Sequence, residues 1–120
     1  MKKTYDTGLK GESVAEKYLS GIGMVCLERR MKTKCGEIDL IMRDGETIVF
    51  VEVKTRLSGQ TGSGLLAVDY RKQKRLANGA MAYLMSRNLL DRNVRFDVVE
   101  VNNTEIIYVP DAFQPGGMMF

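Results

Sequence analysis

The residues best suited to chemistry are Asp39, Glu52 and Lys54, which lie in two short strand-type runs. The runs cover residues 38–42 and 47–55, and an Asp-Gly pair separates them. Asp-Gly between such runs is a strong signal for a β-hairpin, so the two strands should be antiparallel. Because side chains alternate along a strand, the hairpin should present its charged groups on one side.

A loop made of Asp44 and Gly45 defines the expected register of this hairpin. The predicted pairs are Arg43 with Glu46, Ile41 with Ile48, Asp39 with Phe50, and Glu37 with Glu52. Asp39 is then diagonal to Glu52. The charged residues that share one side are Glu37, Asp39, Glu52 and Lys54. The second strand is apolar on both faces before Glu52, so it should be a central strand that is covered on both sides.

Carboxylates that converge on one patch repel each other unless a proton or a cation lies between them. Oxygen-only ligands suit a hard ion such as Mg²⁺, so the pattern indicates a metal site. The alternative is a structural ion pair between Glu52 and Lys54, because unpaired charge at the edge of a core is costly. That pair would leave Asp39 and Glu37 unexplained.

The composition excludes several classes of enzyme. The chain has 120 residues and no histidine, which excludes His-based catalytic triads and His-ligated zinc hydrolysis. Any catalysis must therefore use carboxylates, lysine and a metal. The net charge is only +3, from 18 basic and 15 acidic residues, so the distribution of charge matters more than its total.

Localisation is predicted from what the sequence lacks. Cys26 and Cys35 have no paired-motif partner, so reduced thiols are expected. No apolar run approaches the about 18 residues of a membrane span, and the N-terminal residues lack the apolar stretch of a signal peptide. We expect a cytoplasmic protein that does not contact a membrane.

Residues 8–21 predict a first helix, with an apolar stripe at helical spacing and Gly21 and Gly23 at its end. Glu12 lies at the border of that stripe and should lean toward the core. It is either an acidic residue favoured by the dipole at the start of the helix or part of the acidic site.

Two basic clusters are expected to flank the site. The first follows a short buried strand predicted at residues 24–27, and the second opens a helix predicted from the N-cap Asp69 to about Arg87. Because this helix follows the strand of Glu52, its start should lie near the exit of that strand. Each cluster is either a solvated face or a contact to backbone phosphates. The residues expected to contact nucleic acid are Arg29, Arg30, Lys32, Lys34, Arg56, Arg71, Lys72 and Arg75.

Two features, Gln73 and the stretch at residues 56–64, allow two interpretations each. Gln73, on the inner face of that helix, reaches the site or caps a nearby backbone group. The Gly- and Ser-rich stretch at residues 56–64 is predicted to be mobile, as a lid that orders on substrate or as a plain crossover connection.

The remaining elements complete a single α/β domain. Strands are predicted at 94–101 and 105–109, with Pro110 closing the second, and Arg95 and Asp97 as a structural pair. The order helix, three strands, helix, two strands predicts a mixed sheet in which the crossover strand is parallel to that of Glu52. We predict one domain over residues 1–120, with 110–120 a loosely ordered tail.

The spacing of Asp39, twelve intervening residues, and Glu52-Val53-Lys54 resembles the motif of the PD-(D/E)xK nucleases. The strings GEIDLI, FVEVKTR and RFDVV look like those of the YraN-like family of small bacterial proteins, which is similar to archaeal Holliday-junction resolvases. The resemblance covers roughly residues 7–109. It implies a restriction-endonuclease-like, three-layer αβββαβ core. It also implies that Glu12 joins the metal site.

These features predict an endonuclease that depends on Mg²⁺ or Mn²⁺ and acts on DNA, with branched DNA of recombination or repair among the candidate substrates. Asp39 and Glu52 would hold the metal, which polarises the phosphate and activates a water. Glu12 would join through a water, and Glu37 is a less direct helper. Lys54 would position the attacking water or stabilise charge on the phosphorane.

Two other functions remain open at this stage. One is a non-catalytic nucleic-acid-binding module that keeps a nuclease fold and uses its acidic patch structurally. The other is a small scaffold that binds other proteins. The structure of the nucleic acid and the choice between monomer and homodimer also stay open.

Overall fold

The computed structural model describes residues 3–56 and 68–114, with side chains from residue 10 onward. Within these ranges the chain forms two helices and a five-stranded sheet. The elements are α1 (Lys3–Gly21), β1 (Val25–Thr33), β2 (Gly36–Asp44), β3 (Thr47–Thr55), α2 (Tyr70–Ser86), β4 (Val94–Val101) and β5 (Ile106–Phe113). The strands lie in the order β1-β2-β3-β4-β5. Neighbouring strands are antiparallel except β3 and β4, which are parallel. This order of elements confirms the predicted α/β fold with an αβββαβ core and a mixed sheet.

The sheet separates two apolar cores, and β3 contributes to both. Ile48 and Phe50 pack on the side of α2, whereas Val49 and Val51 pack on the side of α1. Phe50 is 2% exposed, so its burial contributes roughly 3 kcal/mol to folding. The prediction of a central strand covered on both sides is confirmed. Neither helix in the described ranges is long and apolar enough to cross a membrane.

The β2–β3 hairpin is antiparallel as predicted, but its predicted register is wrong by two residues. Ile41 pairs with Phe50 rather than with Ile48, and the loop consists of Gly45 and Glu46. The pairing of Asp44 with Thr47 places Gly45 first in the loop rather than second, and the φ of 61° at this position is one that glycine adopts without strain. Within the paired region a shift of two residues keeps the predicted faces, so Ile41 still packs with Phe50 on the side of α2 and Leu40 with Val51 on the side of α1.

Two elements are longer than the sequence predicts. Helix α1 begins at Lys3 rather than at residue 8, so Glu12 lies about two and a half turns into the helix. The helix dipole acts within the first turn, so it does not account for Glu12. Strand β1 extends to Thr33, beyond the predicted 24–27, because its polar residues pair with β2 along most of their length. Most of the first basic cluster therefore lies in an edge strand.

The last strand also continues past its predicted end. β5 passes through Pro110 and ends at Phe113, so residues 110–113 are not part of a loosely ordered tail. β5 is an outer strand, where a missing N–H is tolerated, and the pairing with β4 shifts register between Phe96 and Val98. Residues 115–120 and most of the predicted mobile loop, 57–64, lie outside the described ranges.

The predicted pair of Arg95 and Asp97 is confirmed, and it belongs to a larger network. Asp97 is fully buried. It accepts hydrogen bonds from Arg95 Nε at 3.1 Å, from the Tyr108 hydroxyl at 2.6 Å and from the Asp111 N–H at 2.8 Å. Arg95 also lies 3.0 Å from Asp44 at the hairpin turn. Both carboxylate oxygens of Asp97 accept hydrogen bonds, so this network stabilises the contact between β4, β5 and the hairpin.

A close contact at Gly11 sets the position of α1 on β3. A Cβ on Gly11 would lie 2.3 Å from Thr55 Oγ1 but 3.5 Å from Thr55 Cβ. Gly11→Ala should therefore lower the free energy of unfolding by about 1–3 kcal/mol, because the helix must move away from the strand. Thr55→Ala removes Oγ1 and leaves an ordinary contact, so the double variant should recover most of that loss. Urea unfolding of the four proteins gives the coupling energy, and strictly additive effects would contradict this contact.

Candidate active site

The acidic residues lie where β2 and β3 separate, at the end opposite their loop. The paired region ends at Leu40 and Val51, and the next residues on the two strands are Asp39 and Glu52. Asp39 Oδ2 accepts a hydrogen bond from the Val53 N–H at 2.8 Å. A side-chain carboxylate thus takes a backbone donor of β3, which holds Asp39 against the strand of Glu52.

Two lysines compensate the charge of Glu52, whose side chain is only 4% exposed. Its Oε2 atom lies 3.0 Å from Lys54 Nζ and 3.3 Å from Lys72 Nζ. Its Oε1 atom is buried and has no hydrogen-bond partner in the part of the chain that the structure describes. The ion pair of Glu52 and Lys54 is therefore present, but it leaves half of the buried carboxylate unsatisfied, which is costly.

Arg30 on β1 joins two further carboxylates to the site. One guanidinium nitrogen lies 3.4 Å from Glu12 Oε1 on α1, and the other lies 3.5 Å from Glu37 Oε1 on β2. Arg30 has a φ of 49°, a left-handed conformation that is uncommon outside glycine and that concentrates at functional sites. Arg30 thus links α1 and β2 beside the end of the hairpin.

Burial, together with neighbouring carboxylates, raises the pKa values of Asp39 and Glu12. Burial and the charge of Glu52 raise the pKa of Asp39 to about 7, with a smaller contribution from Glu12. Burial also raises the pKa of Glu12, where the lowering effect of Arg30 is opposed by Glu37 and Glu52. Asp39 is thus partly protonated at neutral pH unless further positive charge enters the site.

The donor atoms of this site suit a divalent cation. Carboxylate oxygens are the ligands that Mg²⁺ and Mn²⁺ prefer, and Glu52 Oε1 is a buried oxygen without a donor among the described residues. Within the same ranges, however, no group of three acidic, cysteine or histidine side chains is arranged to hold a metal ion as it stands. Lys54 and Lys72 already lie against Glu52, so cation binding there requires at least one side chain to move.

A cavity of about 220 Å³ opens beside Asp39, between β2 and the first turns of α2. Lys72 and Arg75 contribute positive charge to its wall, and Glu37 and Asp39 contribute negative charge. An anion that approaches Asp39 through this cavity meets two basic side chains. The residues that line the cavity are Cys35, Gly36, Glu37, Ile38, Asp39, Lys72, Arg75 and Leu76.

The structure brings together the predicted catalytic residues and places Gln73 elsewhere. Asp39, Glu52 and Lys54 meet at the end of the hairpin, and Glu12 reaches the same cluster from α1. The Gln73 side-chain amide donates to the Val68 carbonyl at 3.0 Å. Of its two interpretations, the structure therefore shows the backbone cap.

Seven of the eight predicted nucleic-acid residues fall into three groups. Arg29 makes two 2.6 Å bonds to Glu16, and Arg30 contacts carboxylates, so both are engaged within the protein. The Arg56 N–H donates to the Val101 carbonyl. The side chains of Lys32, Lys34, Arg71 and Arg75 are exposed to solvent, and so is that of Arg29, which is 64% exposed despite its bonds to Glu16. The prediction that they contact phosphates stays a prediction.

The sequence did not indicate where the side chain of Lys72 lies in the fold. It was predicted to contact phosphate, but its ammonium group lies on Glu52. Lys72 is in the first turn of α2, where its N–H donates to the N-cap Asp69 at 2.9 Å. Local spacing identifies that turn, whereas only the docking of α2 on the sheet brings Lys72 to a carboxylate of β3.

The raised pKa of Asp39 predicts an unusual pH dependence of stability. The pKa of about 7 in the folded protein lies above the value of about 3.9 in an unfolded chain. The folded state therefore binds this proton more tightly, and the stability it confers is present below about pH 4 and lost as pH rises through 7. Without metal, the free energy of unfolding of the wild type relative to Asp39→Asn should increase as the pH falls from about 8 to 5. Urea unfolding across this range measures the difference, and a pH-independent difference would contradict the assigned pKa.

A protein-family model matches most of the chain. The model described as "Uncharacterised protein family UPF0102" matches residues 11–101, which include every residue of the acidic cluster. The match spans the region from α1 to the end of β4.

Individual relatives match over most of their length. The UPF0102 protein of Geobacter metallireducens is 43% identical over 111 residues, which cover 89% of this chain and 91% of the relative. The UPF0102 protein of Hahella chejuensis is 41% identical over 114 residues, or 92% of each chain. That of Clostridium kluyveri is 40% identical over 115 residues, or 91% of this chain and 94% of the relative.

Among solved structures, the chain is similar to SfsA of Pyrococcus furiosus, whose structure is in complex with Ca²⁺. The sequence identity is 17% and the TM-score is 0.38, and the match covers 89% of this chain and 63% of SfsA. At this TM-score the likeness carries no argument about the fold or the site.

Proposed function

The chain belongs to the UPF0102 (YraN) family, and from that premise we propose that it is a metal-dependent phosphodiesterase that cleaves DNA. The observation that carries the proposal is the buried, half-satisfied carboxylate of Glu52. It lies beside Asp39, which lines a cavity whose wall also holds Lys72 and Arg75. A structural ion pair accounts for one oxygen of Glu52 only. A cation site accounts for the other oxygen and for the neighbouring carboxylates together.

Each residue of the site has a role in this proposal. Asp39 and Glu52 would hold Mg²⁺ or Mn²⁺, with Glu12 as a further ligand through water and Glu37 as an auxiliary group. The metal would supply Lewis acidity toward the phosphate. Lys54 lies beside Glu52 and would orient the attacking water or stabilise the negative charge that develops on phosphorus-bound oxygens.

Basic side chains of α2 would bind the phosphate groups of the substrate. Lys72 and Arg75 line the cavity that leads to Asp39, and Arg71 is exposed on the same helical turn. Contacts of this kind bind the sugar-phosphate backbone and do not read the base sequence. The protein should therefore choose its substrate by the shape of the DNA, with branched DNA as one candidate.

A non-catalytic nucleic-acid-binding module is the second candidate, and one observation favours it. Two ammonium groups, those of Lys54 and Lys72, lie on the carboxylate of Glu52, which suits a purely structural acidic patch. A cleavage assay on branched, flapped, single-stranded and linear duplex DNA, with Mg²⁺, Mn²⁺ or EDTA, separates the candidates. The enzyme should cut at least one DNA in a metal-dependent reaction, whereas a binding module should leave all of them intact.

The exposed basic residues of α2 should set the salt dependence of DNA binding. Arg71→Met combined with Arg75→Met should weaken binding about equally for different sequences. The variant should also flatten the slope of log affinity against log salt by about 0.9 for each phosphate that it no longer neutralises. Arg92→Met is the matched control, because Arg92 pairs with Glu46 at the far end of the hairpin. Fluorescence anisotropy over a range of salt concentrations measures the slopes, and an unchanged slope in the double variant would show that these residues are only a solvated face.

A further inference from the structure

The side chain of Lys72 contacts Glu52 of β3, although the position of Lys72 on α2 does not require this contact. Its ammonium group shares Glu52 Oε2 with Lys54, although Lys72 also lines the cavity through which a phosphate would reach Asp39. We infer that Lys72 is an exchangeable counterion. It neutralises Glu52 in the metal-free protein and moves to the substrate phosphate when a divalent cation binds. This inference rests on the proposed function and adds a regulatory link between metal binding and DNA binding.

The geometry selects Lys72 rather than Lys54 as the group that moves. Lys54 lies two residues from Glu52 on the same strand, so its side chain projects on the same face and remains near Glu52. Lys72 comes from a different element, its distance to Oε2 is longer (3.3 Å against 3.0 Å), and its side chain is more exposed (29% against 19%). Lys72 also has a cavity to move into, with Arg75 on the same wall.

Electrostatics supplies the driving force for the exchange. As they stand, the described residues do not include a preformed three-ligand metal site, and a divalent cation near Glu52 would repel both ammonium groups. A cation at Glu52 would therefore weaken the hold on Lys72 and free its charge for an anion. Because coupling between two ligands is reciprocal, Mg²⁺ should strengthen DNA binding and DNA should strengthen Mg²⁺ binding by the same factor.

Lys72→Met tests this coupling, with Lys74→Met as the matched control. Lys74 is exposed on the same helix, so its replacement removes one positive charge near the DNA without touching Glu52. Calorimetry measures the Mg²⁺ affinity of the DNA-free proteins. Fluorescence anisotropy measures DNA affinity with and without Ca²⁺, a hard divalent probe with the same oxygen preference, on DNA shown to be intact by gel electrophoresis.

In the wild type and in Lys74→Met, the divalent ion should raise DNA affinity about tenfold. Lys72→Met should bind Mg²⁺ several-fold more tightly without DNA, because no ammonium has to leave. The divalent ion should raise its DNA affinity clearly less than in the wild type, because only the direct attraction between the ion and the phosphate remains. If Lys72→Met does not fold, Lys72→Gln provides the same comparison.

The outcomes separate this inference from the proposed function. Wild-type protein that binds no divalent ion overturns both. Suppose that the wild type binds Mg²⁺, but the Lys72 variant binds it no more tightly or keeps the full effect of the divalent ion on DNA affinity. This result overturns the exchange alone. In that case Lys72 is a fixed structural partner of Glu52, and the metal-dependent phosphodiesterase proposal is unaffected.

Discussion

Asp39→Asn is expected to reduce the rate of DNA cleavage on the order of a thousandfold while leaving the protein at least as stable as the wild type. The rate falls because the variant loses a charged metal ligand, and a metal ion contributes several kcal/mol of transition-state stabilisation. Stability is kept because the asparagine side-chain oxygen can still accept the hydrogen bond that Val53 donates to Asp39. Removing one of several repelling carboxylates should add about 1 kcal/mol or more at pH 8.

Single-turnover cleavage and urea unfolding, both at pH 8, measure the two effects of Asp39→Asn. Asp39→Ala is the matched variant, because it removes the charge and also leaves the Val53 N–H without its acceptor. It should lose cleavage to the same extent but be less stable than Asp39→Asn. Cleavage near the wild-type rate by either variant would eliminate Asp39 as a metal ligand, and a marked loss of stability in Asp39→Asn would favour a structural role.

Lys54→Met should reduce single-turnover cleavage about a hundredfold or more, because it removes a positive charge next to the reacting phosphate. Its effect on folding should be smaller than the 3–5 kcal/mol that is usual when a buried ion pair is broken, which is an order-of-magnitude range. The reason is that Lys72 lies 3.3 Å from the same oxygen of Glu52 and still compensates it. Mg²⁺ should restore stability, and the metal-bound variant should still bind DNA.

Lys54→Arg separates charge from shape at this position. Arginine keeps the positive charge, but its planar head does not fit the place of a compact ammonium group. Lys54→Arg should therefore also cut slowly. The double variant Lys54→Met with Lys72→Met should show the full loss of stability without metal, since Glu52 then has no ammonium partner from either residue. Full cleavage by Lys54→Met would rule out a catalytic role for Lys54.

The strands of the hairpin and the second helix could be predicted from local sequence patterns. A continuous run of apolar strand-forming residues and an Asp-Gly turn placed β3 at its observed bounds, and the N-cap Asp69 placed the start of α2. The register was wrong because one glycine can serve at either loop position, and only the observed pairing of Asp44 with Thr47 decides between them. β1 was predicted too short because the pairing with β2 holds a polar segment in a strand that its sequence does not favour.

The site was predictable as a set of residue types but not as an arrangement. The spacing from Asp39 to Lys54 identified which side chains meet at the end of the hairpin. Docking of α2 on the sheet brings Lys72 to Glu52, and an edge strand with a left-handed residue brings Arg30 to Glu12. These contacts join residues that are far apart in sequence, so no local pattern reports them.

The most direct test of a divalent cation at this site is a thermal unfolding titration of the wild type and Glu52→Gln with Mg²⁺. If the acidic site binds the ion, the melting temperature of the wild type should rise with the logarithm of Mg²⁺ concentration. The stabilisation should reach about 2.7 kcal/mol when the ion is at about a hundred times its dissociation constant. Glu52→Gln keeps the size of the side chain but not its charge, so its melting temperature should respond with an apparent Mg²⁺ affinity at least about tenfold weaker. An equal rise in both proteins, or no rise in the wild type, would contradict metal binding at Glu52.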